Sequence, residues 1–169
     1  MVKYEFYDYS WDGKTEYSFD IKEQDYQILI DICCKYSTVM SFIFFKRNEN
    51  ISLRQELEPY RIICPNNITN SFYHYKYYNL VKNEDIRYYR VCPELCNILK
   101  HYANSIYEWI QGWDFNNPED PTFYREDGSA FLTTIIHEGY VLLTPRADED
   151  VSVIVSRDGW QESEENDSK

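Results

Sequence analysis

The chain has 169 residues, of which 43% are hydrophobic and 18% aromatic, and it carries a formal charge of −12. That length suits one domain with a core of its own, and the composition lies far from that of disordered chains. The charge repels phosphate backbones and anionic lipid heads and attracts basic partners, so nucleic acids and membrane surfaces are disfavoured.

The first residues, Met1-Val2-Lys3-Tyr4-Glu5, lack the apolar core of a signal peptide. No apolar run approaches the roughly 20 residues needed to cross a bilayer. Five cysteines, an odd number with Cys33 and Cys34 adjacent, do not resemble a disulfide framework. The expectation is a cytoplasmic protein with free thiols.

In chain order, Asp12-Gly13 marks a hairpin between Tyr4–Trp11 and Thr15–Ile21. A helix starting at Asp20, with Glu23 in capping-box spacing, carries Tyr26, Ile28, Leu29, Ile32, Cys33 and Tyr36 at helical intervals. Val39–Phe45 reads as a strand, and Leu53–Glu58 as a short helix stopped by Pro59. Ser71–Leu80 and Ile86–Val91 read as two further strands. A longer helix opens at Pro93, with Leu95, Ile98, Leu99, Tyr102, Ile106, Trp109 and Ile110 in one stripe and Gly112 at its end. Asp127-Gly128 turns Thr122–Glu126 into Ala130–Ile136, with both central turn residues expected at positive φ. His137-Glu138-Gly139 then turns the chain into Tyr140–Thr144. Val151–Ser156 reads as a β-branched strand before Asp158-Gly159, and Gln161–Lys169 as a disordered acidic tail. The expected architecture is a single α+β domain over residues 1–160, an antiparallel sheet with the two main helices on one face.

Several chemistries fail on the residues themselves. Five widely spaced glycines cannot build a dinucleotide fingerprint or a P-loop, which need clustered glycines. His137-Glu138 lacks the second histidine of a zinc helix, because Val141 stands there. Cys92-Pro93-Glu94-Leu95-Cys96 is spaced wrongly for a redox pair. No metal or cofactor is expected, and no catalytic residue is assigned. A cysteine–histidine pair stays open, with His74, His101 and His137 as candidate bases.

Two stretches invite a binding reading. Tyr73-His74-Tyr75-Lys76-Tyr77-Tyr78 and Arg87-Tyr88-Tyr89-Arg90 mix aromatics with cations, as single-strand binders do, although amphipathic strands explain them more simply. The denser cluster runs from Pro118-Glu119-Asp120-Pro121 through Arg125 to Asp127-Gly128, with His137-Glu138 one hairpin later. There Arg125 could meet carboxylates of Glu119, Asp120 or Glu138. These five residues are the candidate binding site.

That segment resembles a family of short uncharacterised bacterial proteins with a P-E-D element, an aromatic strand, a D-G turn and an H-E pair. The resemblance runs from near Ile86 to Thr144; Pro121 stands where the family pattern has an apolar residue. It implies a shared fold and no established activity. Acidity, 17 tyrosines and the missing motifs favour a non-enzymatic protein-binding module, of immunity or inhibitor type, acting on a basic partner. The alternatives are a small hydrolase or transferase around Arg125, His137 and Glu138, and a single-strand nucleic-acid binder. The sequence leaves the oligomeric state open.

Overall fold

The structure is a computed structural model that describes residues 2–7, 19–44, 50–68, 86–112 and 115–164. The first Asp-Gly hairpin and the tyrosine-rich Ser71–Leu80 segment lie outside the described residues or mostly so. Eight strands form one antiparallel sheet. They are β1 (Val2–Tyr7), β2 (Val39–Ile43), β3 (Arg61–Ile62), β4 (Ile86–Arg90), β7 (Glu119–Tyr124), β8 (Ala130–Ile135), β9 (Tyr140–Leu143) and β10 (Trp160–Glu164), ordered β10-β1-β9-β8-β7-β2-β4-β3. β5 (Gln111–Gly112) and β6 (Phe115–Asn116) form a separate small ribbon. The helices are α1 (Glu23–Tyr36), α2 (Ile51–Leu57), α3 (Pro93–Tyr102) and the short α4 (Ser152–Val155). The α+β class and the antiparallel sheet are as the sequence leads one to expect. Among the described residues no helix is long and apolar enough to cross a membrane.

Alternation along the strands sorts the sheet into two faces. Met40, Phe42, Tyr89, Phe123 and Phe131 join α1 and α3 residues, including Leu29, Ile30, Leu95 and Leu99, in the main core. Tyr88 and Tyr124 pack with Ile68 in a smaller cluster. Inside the main core the Tyr26 hydroxyl donates to Leu99 O at 3.0 Å and accepts from Trp109 Nε1 at 2.9 Å. One phenol thus ties α1 to α3 and to the chain beyond it.

Both main helices depart from their expected ends. α1 starts at Glu23, with Lys22 at the cap position and no side-chain cap. Asp20 instead accepts from Ser105 Oγ at 2.6 Å, and Glu23 N donates to Asn104 O at 2.7 Å. The same pairing stops α3 at Tyr102, because Lys22 and Ser105 bridge and Ile106 N donates to Ile21 O. A 3₁₀ turn at Ile106–Glu108 follows, capped by Ser105. The apolar stripe outlives the helix, since Ile106, Trp109 and Ile110 are all buried. Burial is what the periodicity recorded, while a long-range pairing set the helix length.

At the chain's end two expectations are corrected. Val151–Ser156 is not a strand; Asp150 Oδ1 accepts from Ser152 N and Ser152 Oγ, opening the turn that becomes α4 and overriding β-branched preference. Gln161–Glu164 is not a tail but the larger part of β10, in register with β1 from Val2↔Glu164 to Phe6↔Trp160. A backbone ladder needs no apolar side chains, and the Trp160 ring meets Phe6 edge-on at 5.4 Å to anchor it.

The Asp127-Gly128 hairpin forms where expected but not as a type I′ turn. Of its central pair only Gly128 has positive φ, 84°. Gly128 N donates to Arg125 O and Arg125 N to Ser129 O, a three-residue loop closed by a left-handed glycine. A Cβ on Gly128 would stand 2.2 Å from the carbonyl oxygen of Asn67, so two turns press together there.

Cys34 and Cys96 form a disulfide across 62 residues, joining α1 to α3, while Cys33, Cys64 and Cys92 are free. This corrects the expectation of five free thiols: helix packing brings together two cysteines whose spacing gives no sign of it. Such bridges persist in oxidising compartments and open in a reducing cytoplasm, so the bridge and the compartment read from sequence pull apart. Closing a loop of this size restricts the unfolded chain by about 4 kcal/mol.

Two outcomes follow for the core. Tyr26→Phe should lose about 1–3 kcal/mol in urea unfolding, because it strands the Trp109 N–H in the interior and takes one of two donors from the Leu99 carbonyl, which keeps the Ala103 amide. Thiol titration of protein denatured without reductant should find three thiols, and all five only after reduction.

Candidate functional site

The site begins with an unusual central strand. All six residues of β7 are buried, yet it opens Glu119-Asp120-Pro121-Thr122. Pro121 has no N–H for the ladder, and the pairing with β2 shifts there: one residue of β2 lies between the Ser41↔Thr122 and Ile43↔Glu119 pairs, opposite Asp120 and Pro121. Asp120 takes up the bulge with φ 53°, a left-handed conformation that aspartate tolerates better than most residues.

The buried polar groups are then matched one by one. Glu119 Oε1 accepts from Gln111 N of β5 at 3.0 Å. Asp120 Oδ1 accepts from Ile136 N at 2.8 Å, holding the start of the 3₁₀ turn Ile136–Glu138. Thr134 Oγ1 donates to Pro121 O at 3.1 Å. Gly139, at φ 64°, ends the turn and sends the chain into β9. Through the Asp120–Ile136 bond the turn presents His137 beside the two carboxylates. One ligand-type atom from each of Glu119, Asp120 and His137 lies within 4.8 Å of the others.

Exposure falls steeply across this cluster. Asp120 is 1% exposed and Glu119 8%, whereas the His137 side chain is 37% exposed and forms its mouth. Burial pushes the Glu119 carboxyl above its ordinary value, partly opposed by the Gln111 amide. Burial pulls the His137 imidazole down, against the opposing charge of Glu138. His137 Nε2 and Glu138 Oε1 stand 3.8 Å apart, beyond hydrogen-bond length. Glu138 itself faces solvent.

Arg125 goes elsewhere. Its guanidinium forks onto Glu149, Nε to Oε1 and Nη2 to Oε2, each at 2.6 Å. The remaining donors reach Ala130 O, Thr144 O and Ser129 Oγ, so all five N–H groups are engaged inside the fold. The expected approach of Arg125 to Glu119, Asp120 or Glu138 does not occur. Its partner comes from the loop after β9, and no local pattern around Glu149 announces it. The structure thus brings Glu119, Asp120 and His137 together, leaves Glu138 exposed beside the imidazole, and takes Arg125 away to Glu149. Gln111 and the Ile136 amide complete the site, and sequence reasoning missed both because each contributes through its backbone.

The other candidate chemistries gain little. Burial pushes the Cys33 thiol well above its ordinary value, the reverse of an activated nucleophile. Tyr88 and Tyr89 are buried, and the Arg87 guanidinium stacks over Phe44 at 4.2 Å, so this half of the tyrosine-rich region serves packing. The sequence exclusion of a zinc helix at His137 stands for that motif, but a ligand set assembled from distant strands lay outside its reach.

A second feature is a surface groove of about 770 Å³ between β1 and the segment from Pro145 to Val155. Val2, Tyr4, Val151 and Val155 give it an apolar lining, and Asp148 and Asp150 stand exposed along it. Its other charges are paired: Glu149 with Arg125, and Arg146 with Asp127.

No family model matches the chain, and neither the curated proteins nor the solved structures contain a significant match to it.

Breaking the Arg125–Glu149 fork tests its structural role. Arg125→Met or Glu149→Gln should destabilise the protein by about 3–5 kcal/mol in denaturant unfolding, since each leaves a buried partner unmatched. Burial raises the Glu149 carboxyl, but Arg125 and the Arg146 amide outweigh it and hold it below the ordinary value. A lowered folded value means that this stabilisation is complete above the unfolded glutamate pKa of about 4.3. It is lost as pH falls through the folded value, so the wild-type advantage over Glu149→Gln should be flat from pH 6 to 8 and shrink on acidification.

Proposed function

We propose that this protein is a non-enzymatic binding module, of inhibitor or immunity type, that takes up a basic protein partner through its acidic surface. The observation that carries the reading is the groove beside β1, lined both by apolar side chains and by the exposed residues Asp148 and Asp150. An apolar floor supplies contact area, and acidic groups beside it select for lysine and arginine.

The charge distribution supports the same reading. Arg61, Lys100, Arg125, Arg146 and Arg157 each hold a carboxylate of this chain. With 29 acidic side chains against 17 basic ones, pairing every cation would still leave an excess of negative charge. That excess steers a basic partner and repels nucleic acid. The competing hydrolase or transferase reading needs Arg125 beside His137 and Glu138, and the Arg125 guanidinium has no donor left for a substrate.

The experiment is affinity capture from the native host at low salt with wild-type protein and an Asp148→Lys, Asp150→Lys double variant, followed by binding kinetics on whatever is retained. A basic protein held by the wild type and lost from the variant is the expected result. Its association should slow about tenfold or more between low and moderate salt, while dissociation changes little. Equal retention by both proteins would remove the groove from the reading. Failure to retain any protein, together with substrate turnover abolished by His137→Ala, would replace the binding role with an enzymatic one.

A further inference from the structure

We propose that Glu119, Asp120 and His137 form a binding site for one divalent first-row transition-metal ion. This site is separate from the acidic groove and does not rest on the protein-binding reading. Two carboxylate oxygens and an imidazole nitrogen, drawn from β7 and the turn after β8, lie within 4.8 Å of one another. Around an ion with bonds of about 2.0–2.2 Å, neighbouring ligand atoms stand about 3–4 Å apart, so small side-chain rotations would close the set.

Glu119 supplies the second, independent sign of a ligand. The residue is more than nine-tenths buried, and the Gln111 amide satisfies only one of its oxygens. The other accepts no hydrogen bond from any described residue. A buried carboxylate carries a desolvation cost that a counter-charge must offset, and here a second buried carboxylate is its sequence neighbour. A cation bound at Glu119, with Asp120 as a second carboxylate ligand, would offset that cost.

The surroundings are those of a held ligand set. Backbone amides fix the carboxylates, Gln111 N on Glu119 and Ile136 N on Asp120, as outer hydrogen bonds fix metal-binding carboxylates. Glu138 lies close to the outer edge of the imidazole without joining the set. Mixed imidazole and carboxylate donors without thiolate suit Zn²⁺, Mn²⁺ or Fe²⁺ rather than Cu⁺, and the imidazole disfavours Ca²⁺ and Mg²⁺. Three protein ligands leave a coordination position for water on the half-exposed His137 side.

The test uses the full chain, stripped with chelator and titrated separately with Zn²⁺ by calorimetry and with Mn²⁺ by electron paramagnetic resonance. Mn²⁺ serves because it discriminates against the free thiols. The expected result is one equivalent of each ion bound at micromolar or tighter affinity, with a rise in the melting temperature. His137→Ala and Glu119→Gln should each weaken binding at least 100-fold, while Glu138→Gln should stay within a few-fold of wild type. His137 is half exposed, so its variant keeps the fold and decides the matter even if Glu119→Gln unfolds. No saturable binding of either ion at millimolar concentration would overturn the proposal, as would one-equivalent binding that survives His137→Ala.

Discussion

A strand buried along its whole length that begins with two acids and a proline is the constraint from which the rest of this structure follows. β7 sits between β2 and β8, and every polar group it carries must find a partner inside the protein. The Gln111 amide comes to Glu119, the Ile136 amide to Asp120 and the Thr134 hydroxyl to the Pro121 carbonyl. At the far end Tyr124 shares a hydrogen bond with Ser41 at 3.2 Å. Each match pins a different neighbour: the small β5–β6 ribbon, the turn before β9, β8 itself, and β2.

The two ends of this strand do different work. Beyond its C-terminal end Arg125 gathers the carbonyls of Ala130 and Thr144 and the carboxylate of Glu149, closing the sheet's loops around a fully engaged cation. At its N-terminal end Glu119 and Asp120 lie close to an imidazole, and one oxygen of Glu119 accepts no hydrogen bond from any described residue. Saturation at one end gives rigidity. Incomplete satisfaction at the other is where a ligand can act, because a buried polar group without its full set of partners keeps its affinity for one.

Away from β7, packing is ordinary and charge is not. α1 and α3 are joined by apolar contact, the Tyr26 hydroxyl, the Cys34–Cys96 bridge and an exposed Lys100–Asp31 pair. Among the described residues Arg61, Lys100, Arg125, Arg146 and Arg157 hold carboxylates of the same chain, and the excess of acidic over basic side chains sets the sign of the net charge. The groove along β1 sets the exposed carboxylates of Asp148 and Asp150 beside the apolar side chains of Val2, Tyr4, Val151 and Val155.

Much of the fold was legible in short stretches. The stripes of α1 and α3, the Pro59 stop, the Asp127-Gly128 and His137–Gly139 turns and the acidic excess are written in neighbouring residues or in composition, and local conformation and net charge depend on little else. Glu119, Asp120, His137 and Glu138 could be singled out as a cluster, because one hairpin separates them. The tertiary structure alone decided that Arg125 leaves them for Glu149, that Ser105 ends α3 by bridging to Lys22, that Cys34 meets Cys96 and that Gln161–Glu164 becomes a strand. Each of those outcomes is a choice of partner between distant segments. A buried polar group or an open strand edge takes whichever complement the fold brings within hydrogen-bond reach, and spacing along the chain does not record that distance.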